Sequence, residues 1–137
     1  MAKIYIDENL SPVVLQPLVQ LMRHGNVFRT PAMENLLGAK DVELFEHLRL
    51  LEYDVIATLD RKQLDNDEER NALRESRLHW IGLADPRLSG LDQMAAESAA
   101  LLLVLPRILT SLPAEPTVFH VDTIAMRHGA SIVSEPA

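Results

Sequence analysis

Apolar residues recur along this chain in two rhythms, short unbroken runs and helically spaced stripes. Ile4 to Ile6 is a run that predicts a strand, and it stops abruptly at Asp7-Glu8-Asn9. Ser11-Pro12 then supplies an N-cap and a first-turn proline. Val14, Leu15, Leu18, Leu21 and Met22 follow at helical spacing, and Gly25 stands where a helix-terminating glycine belongs. Pro17 falls inside this helix and predicts a kink. Asn26 to Arg29 reads as a second strand, and "TPAMENLLGA" as a loop with one helical turn. Asp41 opens a helix whose apolar stripe is Val42, Leu44, Phe45, Leu48 and Leu51. Val55, Ile56 and Ala57 form a buried strand that ends in Thr58-Leu59-Asp60. A charged helix spans 66–77, with Asn66 and Glu69 arranged as a capping box. "LHWIGL" is a further strand, and 89–112 is a long apolar helix interrupted near Pro106. "PTVFHVD" predicts one more strand, and "GASIV" a last one after a turn at His128-Gly129.

Strands alternating with helices predict a layered α/β sandwich with a mostly parallel sheet, closed by an antiparallel hairpin over 117–133. At 137 residues the chain has the size of one domain. It is 47% hydrophobic but only 4% aromatic, so aliphatic side chains must fill the core. The absence of cysteine excludes a disulfide framework and a thiolate zinc site, and it suits a reducing, cytoplasmic setting. The start of the chain has no long apolar leader segment. "AALLLVL" is shorter than the ~20 apolar residues that span a bilayer, so we expect a core or homodimer-face helix and no membrane contact. The net charge of −7 argues against broad adhesion to nucleic acid or anionic lipid. It does not exclude a nuclease, because metal-binding carboxylates are part of an acidic balance and a bound cation reverses the local field.

Ligands of open parallel sheets gather beyond the carboxyl ends of the strands. Asp7 and Glu8 stand at that end of the first strand, and Asp60 at that end of the third. If these strands are neighbours, their carboxylates converge. Asp41 begins the helix leading into the third strand, and simple right-handed βαβ geometry is expected to leave it at the opposite end of the sheet.

"IYIDENLSP" followed by "KDVELFEHLRLLEYDVIATLD" resembles the small PIN-like proteins that often serve as presumed toxins in bacterial toxin–antitoxin pairs. The shared pattern is an apolar strand ending in Asp-Glu-Asn-Leu, an Asp-led helix, and an apolar strand ending in Thr-x-Asp. It covers about 3–60 and extends more loosely to about 83. The resemblance implies a three-layer α/β/α PIN-like sandwich with an acidic cluster that binds Mg²⁺ or Mn²⁺. It implies catalytic and metal-binding roles for Asp7, Asp41 and Asp60, with Glu8 as the fourth acid, and it brings Asp41 into the cluster by analogy. It also implies an RNA substrate and a cognate antitoxin protein. The chain departs from the pattern after Asp60. Arg61-Lys62-Gln63 stands where a basic residue, a further Asp and Phe are common, and Lys62 replaces that Asp.

The chemistry suits these residue types. Phosphodiester cleavage needs a nucleophilic water and charge relief on the phosphate, and a hard cation held by carboxylates supplies both. Arg23, Arg29, Arg61 and Lys62 are candidates for phosphate contacts. Each acid also has a structural reading: Asp7 as a helix-approach turn, Asp41 as an N-cap, Asp60 as a turn residue, and Asp65, Asp67, Glu68 and Glu69 as a solvated helix start. The five histidines show no metal-ligand spacing, and His47 with Glu43 is an i, i+4 surface pair. Two other functions compete with the nuclease. One is a PIN-like interaction module with weakened catalysis, favoured by Lys62. The other is a receiver-like phosphoacceptor domain, which has the right order of acids but lacks a Ser or Thr after the fourth strand and a Lys after the fifth.

Overall fold

Side chains along a strand point alternately to opposite faces, and in this protein that alternation sorts the core into two halves. A computed structural model describes residues 1–122 and Pro136. In it β1 (Ala2–Ile6) sends Ile4 and Ile6 to one face and Tyr5 to the other. β3 (Val55–Thr58) and β4 (His79–Leu83) do the same: Val55, Ala57, Ile81 and Leu83 join Ile4 and Ile6, while Ile56 and Trp80 join Tyr5. With β2 (Asn26–Arg29) and β5 (Val118–Val121) they form a five-stranded sheet in the order β2-β1-β3-β4-β5. Every pairing is parallel. The first face is covered by α1 (Leu15–Met22) and α5 (Gly90–Thr110), the second by α3 (Asp41–Leu50) and α4 (Asp67–Glu75). A one-turn helix, α2 (Pro31–Glu34), lies in the loop before α3. This is the α/β sandwich expected from the alternation, in the three α/β/α layers that the resemblance implies, with a fully parallel sheet. Of the hairpin predicted over 117–133, the first arm is β5, which pairs parallel with β4, and the second arm, the "GASIV" strand, falls outside the described residues.

The helix boundaries show why two prolines behave unlike their sequence reading. Ser11 caps a 3₁₀ turn, Pro12–Val14, and α1 begins only at Leu15. Pro17 is therefore in the first α-helical turn, where a backbone N–H has no partner within the helix, so its missing donor costs little. Leu21 turns outward and is 70% exposed, leaving Val14, Leu15 and Leu18 to bury. Pro106 does not interrupt α5, which runs unbroken through it with the ring on the exposed side. By length and composition α5 is apolar enough to cross a membrane, and in the fold it buries Ala96, Ala100, Leu101 and Leu105 against the sheet and α1.

The strand order reverses between β1 and β3, because the chain leaves β1 for one edge and returns through β3 toward the other. That switch point opens a crevice at the carboxyl ends of the two strands.

Candidate functional site

Asp7 continues the alternation of β1 by one residue. Its N–H donates to Ala57 O at 2.9 Å, which holds the backbone against β3 and aims the carboxylate toward the α3–α4 face. Ile6 lies opposite Ala57, so Asp7 stands beside Thr58. The Thr58 hydroxyl donates to Asp7 Oδ2 at 2.8 Å, and the Glu8 N–H donates to Oδ1 at 2.8 Å. Asp7 is only 6% exposed. Burial pushes its carboxyl above the usual carboxylate range, against the three hydrogen bonds that favour the charged form; the nearby Glu8 adds to the rise.

Asp41 is at the same end of the sheet as Asp7, which corrects the simple topological expectation. A helix joining two parallel strands runs antiparallel to them, so its N-terminus opens at their carboxyl ends. The long connection from β2 through α2 delivers Asp41 there as the first residue of α3. Asp41 does not cap its helix; Lys40 holds the N-cap position without a side-chain bond. Burial raises the Asp41 carboxyl, the hydrogen bond from Gln63 opposes the rise, and the charges of Asp60 and Glu8 add to it.

Gln63 joins the two acids. Its Nε2 donates to Asp41 Oδ1 at 2.8 Å and to Asp7 Oδ2 at 3.2 Å. Its Oε1 accepts the indole N–H of Trp80 at 3.0 Å. Chemistry fixes the amide's orientation: an indole can only donate and an ionised carboxylate can only accept. Gln63 is 2% exposed and Trp80 is fully buried. The two carboxylate oxygens are thus no further apart than two hydrogen bonds through one nitrogen.

Asp60 and Glu8 stand at the rim. Asp60 follows β3 and accepts the Lys62 N–H at 3.1 Å, capping a 3₁₀ turn, Arg61–Leu64, that places Gln63. Glu8 is exposed and accepts the Gly38 N–H at 3.0 Å, tying the crevice to the loop before α3. Asn9 binds the other side of Thr58: its Nδ2 donates to Thr58 Oγ1 at 3.0 Å, and its Oδ1 accepts the Leu59 N–H at 3.0 Å. Asp7 and Asp41 thus meet through Gln63, a pairing that the strand-end geometry did not foretell, while Asp60 and Glu8 are close enough to repel Asp41. Among the described residues no three acid or histidine side chains stand close enough to hold one ion, and none of Asp7, Asp41 and Asp60 is ion-paired.

A cleft of about 580 Å³ runs across the ends of β3, β4 and β5, lined by the basic Arg61, Lys62 and Arg87, the acidic Asp60, Asp85 and Asp122, and His120. Two of the four basic residues singled out in the sequence therefore lie at the site. Arg29 instead donates to Glu34 Oε1 at 2.8 Å, and Arg23 follows α1 at the other end of the sheet. Asp65, Asp67 and Glu68 are exposed at the start of α4, as a solvated helix start predicts. His47 Nδ1 lies 2.8 Å from the Glu43 carbonyl, a bond to backbone rather than to the Glu43 side chain. Sequence reasoning missed Gln63 and Asn9. The signal for Asn9 was its place in "DEN"; for Gln63 it was the departure "RKQ" itself.

Neither a curated protein nor a solved structure matches the chain. A family model of the PIN-like domain matches residues 2–85, from β1 to just past β4, a span that includes Asp7, Asp41, Asp60 and Gln63. More than half of the chain lies within that match, and the chain belongs to the PIN-like domain family.

Proposed function

We propose that this chain is a cytoplasmic, Mg²⁺- or Mn²⁺-dependent endoribonuclease, the toxin of a bacterial toxin–antitoxin pair. PIN-like domains have a nuclease-type fold, are generally divalent-metal dependent, and generally bind RNA. The observation that carries the reading is the convergence of Asp7 and Asp41 at the sheet's switch point with no cationic side chain between them. The donor chemistry fits a hard divalent cation. Mg²⁺ is commonly held by one or two carboxylates and keeps several waters, so two converging acids suffice, with Asp60 and Glu8 as further or water-mediated ligands. Bound there, the ion would supply a nucleophilic hydroxide and charge relief on the scissile phosphate.

The chain's own residues have distinct parts in this reading. Thr58 and the Glu8 N–H fix the Asp7 carboxylate in one orientation, so little ordering is needed on binding. Asn9 locks Thr58 and the Leu59 backbone, and with them the approach to Asp60. Arg61, Lys62 and Arg87 place positive charge in the cleft next to Asp60, where an RNA strand's phosphates can lie across the ends of β3 to β5.

The test is to incubate the purified protein with single-stranded and structured RNA, with Mn²⁺ or with chelator, beside Asp7→Asn and Asp60→Asn. Cleavage that needs Mn²⁺ and is lost in both variants supports the reading; cleavage that persists in the variants sinks it. Growth arrest on expression, relieved by a co-expressed neighbouring reading frame, tests the toxin role. The Gln63 bridge favours a second reading, a PIN-like interaction module with weakened catalysis, for which every RNA assay stays silent while a partner protein still binds. Nothing at the ends of β4 and β5 favours a receiver: Ala84 and Asp122 follow them.

A further inference from the structure

We infer that Gln63 is a displaceable amide clamp: it holds the place of a cation between Asp7 and Asp41, and loading of the site requires its hydrogen bond to Trp80 to break. The inference rests on the proposed metal reading and adds to it a residue of this chain that controls access. Three observations carry it. A single nitrogen donates to both carboxylates, so the amide lies on the path between them, where a shared ion would have to sit. The amide is anchored from behind by a donor, the Trp80 indole, that cannot reverse its role. Gln63 is buried to 2% exposure, so it cannot drift out into water without a rearrangement of the turn that carries it.

The geometry also explains why the buried Asp7 and the half-buried Asp41 coexist without a basic partner. Each keeps one partial positive charge, an amide hydrogen, in place of a full one. An amide hydrogen bond is about 2.8–3.2 Å from nitrogen to oxygen here, whereas Mg²⁺ demands about 2.1 Å to oxygen. The ion therefore draws the oxygens closer than the amide can tolerate, and the two occupants exclude each other. The turn Arg61–Leu64 is the part that would have to shift: its first two residues, Arg61 and Lys62, are exposed, and its start is capped by Asp60, a rim acid that accepts the Lys62 N–H. Recruitment of Asp60 to an ion would release that cap and loosen the turn, linking the arrival of the ion to the departure of Gln63.

Trp80 is the only tryptophan in the chain, so its emission reports directly on the clamp. The experiment titrates MnCl₂ into the full chain, followed by Trp80 emission and in parallel by calorimetry. It compares the wild type with Gln63→Met, which keeps volume and removes the amide, and with Trp80→Phe, which removes only the anchor and is read by calorimetry alone. We expect Mn²⁺ to shift the wild-type emission along the same isotherm as the heat. Both variants should bind Mn²⁺ at least tenfold tighter. Gln63→Met should show an emission already shifted before metal and unmoved by it. If Gln63→Met fails to fold, Trp80→Phe decides alone. Affinities within twofold across the three proteins, with wild-type emission unmoved at saturation, overturn the clamp and leave the metal reading standing. No Mn²⁺ binding by any of them overturns both.

Discussion

An alanine at position 82 would put a methyl group inside the ring of Trp80. An ideal Cβ on Gly82 lies 2.1 Å from Trp80 Cη2 and 2.3 Å from Cζ3, far inside the ~3.5–4.0 Å of a good carbon contact. The obstacle is a rigid ring, not the loose end of a flexible chain, and both residues are buried. The ring is also pinned: its edge packs on His120, centroids 5.7 Å apart, and its N–H holds Gln63. Overpacking of this kind costs about 1–3 kcal/mol. A ring that moves far enough to relieve it leaves the indole N–H and Gln63 Oε1 without partners, which adds about 1–3 kcal/mol. Gly82→Ala should therefore cost roughly 2–6 kcal/mol, a large share of the ~5–15 kcal/mol that holds a domain together. For a chain of this length that lowers Tm by about 7–20 °C. Urea unfolding followed by far-UV circular dichroism measures it in the wild type and in Trp80→Leu. With the ring gone, the alanine should cost less than about 1 kcal/mol. Equal costs in the two backgrounds, or less than about 1 kcal/mol in the wild type, would refute the reasoning.

Three further outcomes follow from other parts of the fold. Glu97 is 2% exposed on α5, its Oε2 has no hydrogen-bond partner among the described residues, and burial with the nearby Asp85 pushes its carboxyl above the ordinary range while the Ser11 backbone opposes this. A folded pKa above the unfolded one means a destabilising contribution that is absent below the unfolded value and grows as pH rises through the folded value. Glu97→Gln should gain about 1 kcal/mol at neutral pH and nothing near pH ~4, read from urea midpoints across pH; parallel curves would disprove it. Glu52, just past α3, has φ +60 and donates to Arg49 O, so Glu52→Gly should raise stability by about 1 kcal/mol, measured by the same unfolding curves, and a loss would refute the strain. Tyr53 donates to Glu34 Oε1 at 2.7 Å while 5% exposed, so Tyr53→Phe should cost about 1 kcal/mol and let the Glu34 carboxyl rise toward its ordinary value in an NMR titration. An unmoved Glu34 would show that Arg29 alone holds it.

The elements most legible in the sequence were those whose signal is local. The strand Asn26–Arg29 and the helix opening at Asp41 appear where the apolar spacing and the first-turn acids place them. Asn66 accepts the Glu69 N–H at 2.8 Å, as the capping pattern requires. Pro17 and Pro106 were misleading because the penalty for a proline depends on which turn it occupies and which side faces water, and periodicity measures neither. Of the site, Asp7 and Asp60 were legible as carboxylates at strand ends. The placement of Asp41 needed the direction of α3 relative to the sheet, which strand count alone gets wrong. For Gln63 the departure "RKQ" marked the position but not the role, since a buried amide serving two acids and one indole depends on partners beside β1, in α3 and in β4 at once.

That spread along the chain gives the site a birth order. Asp7 is synthesised almost first, but Thr58 is 51 residues further on, Gln63 56, and Trp80 another 17 beyond Gln63. At ~5–20 residues per second, roughly 4–15 s separate Asp7 from the residue that anchors its clamp. Until β3 and β4 dock, nothing holds Asp7 and Asp41 together, because closing such long loops costs entropy that only the docked strands repay. A fragment stopped short of Trp80 carries every acid of the site and lacks the indole that holds Gln63 between them, so a prematurely ended chain should not assemble the site.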